Sequence, residues 1–288
     1  MVDKKTKKRK IHWRYDDDKD WIDGLADKPR EKGEKTLNDV SVKIKKALKT
    51  LKTVKFWKRI GLIVLMLAWT AGVMYATQFC FKHLFRFLFP DHLDSVLTQA
   101  VYTFVVDMVA LALIVLLPWK IWKKKTTLDE MGIKGNLTWT DIGLAPVGFI
   151  AYMLMAMVGQ WLMPFVNWNA EQEIGYDLSN LIGTDLLIVF ATLVIIAPIA
   201  EELIFRGWLY GKLKQRVPVW LAVILASALF GIMHGQVNVG INVFFLSIAL
   251  CVLREMTGTI YSGVLLHMLK NGVALAVLLY TENPYLFN

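Results

Sequence analysis

LIGTDLLIVFATLVIIAPIAEELIFR, residues 181–206, is an apolar run that closes on two adjacent acids, Glu201 and Glu202, with Arg206 four residues further on. From Leu186 to Ala200 it carries no charge. A helix needs about 20 such residues to cross the hydrocarbon of a bilayer, and ionisable groups persist there where they pair or do chemistry. This stretch therefore predicts both a spanning helix and a polar site set at its end.

Other runs share its character. Apolar segments fall near 58–80, 97–118, 141–163, 219–235, 240–255 and 259–280, in a chain that is 56% hydrophobic with a mean hydropathy of +0.44. The predicted fold is all-α: a polytopic transmembrane helical bundle of about seven spans preceded by a basic amphipathic N-terminal helix. Segment 240–255 is the shortest and is the candidate for a tilted or re-entrant piece. The two cysteines, Cys80 and Cys251, give neither metal spacing nor a disulfide framework and read as small packing residues.

The net charge of +9 does not point to nucleic acid, because it is not spread over the chain. Residues 1–59 hold 20 Lys plus Arg against 10 Asp plus Glu, so this tail carries the whole excess. No signal-peptide pattern precedes the first span, so the tail is expected to stay on the protein. Residues 1–35 lack apolar period and predict disorder. From Leu37 the residues Val40, Ile44, Leu48, Leu51 and Val54 recur at three or four among lysines, the pattern of a helix lying on anionic lipid. The division is thus 1–57, a basic cytoplasmic tail, and 58–288, a membrane bundle. Lys120 and Lys123 to Lys125, then Lys212, Lys214 and Arg216, then Arg254, fall in alternate loops, which predicts a cytoplasmic N-terminus and an outward C-terminus in the cell membrane.

Helical geometry sorts the polar residues. Glu202 and Arg206 share a face, while Glu201 is turned by about 100° onto the next one. Glu202 can be held by Arg206, leaving Glu201 free. Pro198, a turn earlier, cannot donate to the helix ladder and predicts a locally opened backbone. His234 lies 33 residues after Glu201, with the polar turn around Val217 and Pro218 midway, so a hairpin sets the two at one depth. His267 and Asn271, four apart, face the same way from the last span. A carboxylate and an imidazole at one depth can activate a water, and a second histidine with a carboxamide can hold an oxyanion.

These residues also carry a family resemblance. Glu201-Glu202-Leu-Ile-Phe-Arg206 resembles the EExxxR motif, Phe230-Gly-Ile-Met-His234 the FxxxH motif, and His267-Met-Leu-Lys-Asn271 the HxxxN motif of the CAAX-protease and bacteriocin-processing (CPBP, Abi) intramembrane proteases. The resemblance covers roughly 140–280 and implies an intramembrane glutamic endopeptidase acting on a membrane-associated peptide or protein, without a cofactor. It implies that Glu201 and His234 activate the water, that His267 and Asn271 form the oxyanion site, and that Glu202 and Arg206 support them, with Phe230 packing beside His234. The alternatives are a non-catalytic bacteriocin-immunity or scaffold protein and a proton-coupled transporter.

Other chemistries fit less well. There is no HExxH, although Glu201, His234 and His267 are in principle a three-ligand zinc set. Ser262 is the nearest approach to a nucleophilic serine, and Tyr176-Asp177 is half of an aspartyl motif lying in a polar loop. Asp107 and Lys270, both inside spans, are expected to form a buried ion pair.

Overall fold

The computed structural model describes residues 42–46, 49, 53–91, 95–122, 125–168, 174–179 and 181–283. Most of the basic tail lies outside the described residues; 42–46 are helical and exposed. Among the described residues the chain is helical with no strand. The elements are α1 (Val54–Leu88), α2 (Val96–Trp122), the short α3 (Leu128–Met131), α4 (Trp139–Leu162), a broken helix α5 (Gly183–Leu213), α6 (Val219–Ile232), α7 (Val237–Thr257) and α8 (Tyr261–Glu282).

Six of these helices are long and apolar enough to cross a membrane, which makes the chain a multi-pass membrane protein. With the shorter apolar α6 they make up the expected bundle of about seven; the short segment, however, is α6, with 14 residues, and not 240–255, which becomes the 21-residue α7. Pro218 starts α6 and the His234-Gly235 turn ends it, so its length is set by helix punctuation at both ends.

The break in α5 follows from Pro198. Two π-helical stretches, Ala191–Ile196 and Leu203–Tyr210, flank an α-helical turn at Ala197–Glu202. The Ala197 N–H reaches back five residues to the Thr192 carbonyl. In that register the next carbonyl, Leu193, faces a proline that has no N–H to give. The expected opening of the backbone is thus a pair of π-helical insertions, a form that recurs at functional sites.

At one end of the bundle three loops are tied together. Lys212 Nζ meets Glu130 Oε2 at 2.6 Å, Arg254 Nη2 donates to the Glu130 carbonyl at 3.2 Å, and Lys214 Nζ meets Glu255 Oε1 at 2.5 Å. The loops following α2, α5 and α7 therefore share one end, as their excess of basic residues predicts. A second knot joins α4 to α8: Asp141 closes a capping box with Thr138 and accepts from Ser262 Oγ at 2.8 Å. Ser262 is therefore an anchor between helices.

The core below these knots packs Met66, Ile114, Phe205, Leu209 and Phe230 around Cys251. Cys251 is buried as expected; Cys80 is exposed on α1 and is not a packing residue. The closest approach of two backbones is between α6 and α7, where a Cβ on Gly231 would stand 2.6 Å from the Gly240 carbonyl oxygen.

Candidate active site

The α-helical turn between the two π stretches carries Glu201 and Glu202 in different directions. Glu202 is fully buried, and Arg206 Nη1 lies 2.9 Å from its Oε1, as the spacing of four predicts. None of the Arg206 N–H groups points along a hydrogen bond, so the attraction is Coulombic. The guanidinium also stacks 4.4 Å from the centroid of the Phe230 ring. Glu202 Oε2 is buried without a hydrogen-bond partner and lies against Gly263, where a Cβ would come within 3.2 Å. Gly263 makes room for this carboxylate, a part of the site that its sequence context does not announce.

Glu201 is turned away and remains 27% exposed. The ring of His267 lies between the two acids: Nδ1 is 3.0 Å from Glu202 Oε1 and Nε2 is 3.6 Å from Glu201 Oε2. An ionised carboxylate only accepts, so the Nδ1 hydrogen of His267 belongs to the Glu202 bond. The 3.6 Å contact is too long for a direct hydrogen bond.

His234 sits just past the end of α6, where its Nδ1 is 2.8 Å from the Phe230 carbonyl. A carbonyl can only accept, so Nδ1 carries the hydrogen and Nε2 is left as the acceptor. The Phe230 ring meets His234 edge-on at 4.9 Å, His267 at 5.9 Å and Phe205 at 4.9 Å. Phe230 is therefore the apolar wedge that spaces both imidazoles and the guanidinium. Glu201, Lys270 and His267 all lie within electrostatic reach of His234.

Asn271 takes part differently. Its Nδ2 donates at 2.9 Å to the Leu193 carbonyl, the one that Pro198 leaves without a helical partner. One amide hydrogen thus ties α8 to the break in α5, and the second is left over. The expected ion pair of Asp107 and Lys270 is not formed: each lies within electrostatic reach of Glu201, and Asp107 Oδ2 is buried without a hydrogen bond. They approach the acid from different helices, which the register of either helix alone does not reveal. Asp177 accepts from the Ser179 hydroxyl and N–H, at 2.6 and 3.0 Å, and caps a loop turn. Among the described residues no three His, Cys, Asp or Glu side chains are arranged as metal ligands.

Two cavities flank the site. One, of about 440 Å³, is apolar and lined by Met163, Ile232, Val237, Ile241, Phe244 and Phe245. The other, of about 280 Å³, has a mixed wall in which Lys270, Gln160 and Asn242 stand beside Val239, Val243 and Ala274.

Comparison with known proteins addresses the same helices. Residues 183–273 match the family model described as Rce1-like, type II CAAX prenyl endopeptidase Rce1-like. The chain is 24% identical over 187 residues to the "Putative membrane peptidase YdiL" of Bacillus subtilis (strain 168), covering 63% of this chain and 73% of that protein. No solved structure matches. The family match begins at the first residue of α5 and ends two residues after Asn271, so it takes in all three motifs. Residues 183–273, which hold the three motifs, are thus similar to the CAAX-protease-like membrane proteases of the CPBP family.

Proposed function

We propose that this protein is an intramembrane endopeptidase that hydrolyses a membrane-associated peptide with a water activated by Glu201 and His234. The observation that carries this reading is the fixed tautomer of His234, which presents an unprotonated Nε2 in the neighbourhood of a carboxylate that has no ion-pair partner as close as Arg206 is to Glu202. Glu201 takes one proton of the water while His234 Nε2 accepts the other in a hydrogen bond and fixes its orientation. The hydroxide adds to the scissile carbonyl carbon, and the oxyanion is met by the leftover Asn271 N–H and by His267. His267 donates to it from Nε2 in the form that carries a hydrogen on both ring nitrogens. Each such donor contributes about 3–4 kcal/mol in a dry site. Protonated Glu201 then gives its proton to the departing amine, which restores the carboxylate. Glu202 and Arg206 take no part in bond making; they hold His267 and the broken helix in place. The apolar cavity beside His234 accepts the non-polar side chains that a membrane peptide offers.

The test is cleavage of lipid-anchored or membrane-embedded peptides by the protein in liposomes. Glu201→Gln and His234→Ala are each expected to lower the rate by a factor of about 10² or more with the fold intact. Cleavage that persists in both variants overturns the mechanism. A biological activity retained by Glu201→Gln points to a binding protein, and substrate-dependent proton flux points to a transporter.

A further inference from the structure

The smaller cavity next to the catalytic cluster has a composition that asks for a particular ligand. It is lined by Tyr152, Gln160, Trp168, Asn238, Asn242 and Lys270 among others, and no acid is in its wall. Lys270 makes no ion pair and no hydrogen bond with the described residues, although an ammonium placed inside a span is costly unless something answers it. The wall of the cavity offers it no acid; the carboxylate within its electrostatic reach is Glu201, on α5. The Tyr152 hydroxyl donates to Asn242 Oδ1 at 2.6 Å, so the Asn242 N–H groups are not spent in that bond. The Trp168 indole N–H is spent on the Met163 carbonyl at 3.1 Å. Lys270 and the Asn242 amide thus share the wall of a space of about 280 Å³.

The position of the cation ties this space to the hydrolytic site. Lys270 is three residues after His267 on α8, about 4.5 Å further along the axis, and it lies within electrostatic reach of both Glu201 and His234. An extended peptide advances about 3.3 Å per residue, so a group held by Lys270 lies within about four residues of the bond presented to Glu201.

We propose that Lys270, with the Asn242 amide, binds a carboxylate of the substrate peptide, either an acidic side chain or the chain terminus, and so sets the distance from that carboxylate to the scissile bond. The proposal rests on the hydrolytic reading for the bond that is cut, but not for the binding itself. A charge-assisted hydrogen bond from a poorly solvated ammonium is a large part of the affinity of a small peptide.

The experiment uses the full chain in nanodiscs and four fluorescent versions of one 12-residue apolar peptide: with a single Asp or the matching Asn, each with a free or an amidated C-terminus. Binding is read by anisotropy in Glu201→Gln, and cleavage is read in parallel in the wild type. At least one carboxylate is expected to tighten binding by about tenfold or more, and the Asp and terminal arms tell which source is used. Lys270→Met abolishes the preference, Lys270→Arg keeps it, and Lys270→Glu turns it against acidic peptides. Equal binding of all four peptides by the parent, or a preference that survives Lys270→Met, overturns the proposal. Carboxylate-selective binding with no cleavage in the wild type sustains the site and removes the hydrolytic reading, whereas cleavage indifferent to carboxylates does the reverse.

Discussion

Gly231 and Gly240 offer the sharpest test of how the site is held together. A Cβ on Gly231 would lie 2.6 Å from the Gly240 carbonyl oxygen, about 0.8 Å inside ordinary contact, and the obstacle is backbone that has no rotamer to change. Gly231→Ala must therefore part α6 from α7, at an overpacking cost of about 1–3 kcal/mol. His234 follows three residues later and moves with the end of α6. In the proposed mechanism, a displacement of about 1 Å at His234 costs on the order of 10²-fold in rate. Gly240→Ala should behave alike, since its Cβ would stand 2.8 Å from the Gly231 oxygen, while Gly72→Ala, with nothing within 4 Å, is the control. Thermal unfolding in detergent and peptide cleavage in liposomes are the two readouts. If Gly231→Ala matched Gly72→Ala in both, the reasoning from backbone contact to active-site position would be refuted.

Three further predictions follow from the same geometry. Glu202→Gln leaves the Arg206 charge buried alone and should cost about 3–5 kcal/mol, part of which the double variant Glu202→Gln/Arg206→Met recovers in equilibrium unfolding. Asn271→Leu exposes the Leu193 carbonyl beside Pro198 and should cost about 1–3 kcal/mol; in a double-mutant cycle the loss shrinks when Pro198→Ala returns an N–H to the helix, and a loss unaffected by Pro198→Ala counts against the assignment. In the loop, the Ser179 hydroxyl and N–H hold the Asp177 carboxyl below the ordinary carboxylate range, so the turn at Asp177 persists above that range and is lost as pH falls through the depressed value. Ser179→Ala removes the hydroxyl and keeps the N–H, so the titration of Asp177, followed by NMR, should rise part of the way toward the ordinary range.

How much of this is legible in the sequence depends on distance along the chain. Glu202 and Arg206 pair as a spacing of four requires, and Pro198 announces a disturbed helix, because both effects are local. The gathering of the basic loops at one end is also legible, since charge bias reflects topology. The place of His267 between two acids is not, because it depends on how α8 packs against α5. The same holds for Lys270, whose expected partner Asp107 lies within electrostatic reach of Glu201 from another helix. Asn271 shows the limit most clearly: its spacing from His267 marks it as a site residue, but only the π-helical register reveals that one of its hydrogens is committed to a carbonyl. Gly231 and Gly240, both inside apolar segments, carry no signal of their own until two backbones are seen to touch.

The brevity of α6 bears on how a hydrolase in lipid obtains its water. Fourteen residues rise about 21 Å, well short of the roughly 30 Å of a bilayer's hydrocarbon. Such hydrophobic mismatch is relieved by thinning the leaflet over the short element. A leaflet thinned over α6 would shorten the path from bulk solvent to His234, just past the end of that helix, and would lower the barrier for a polar peptide segment to enter.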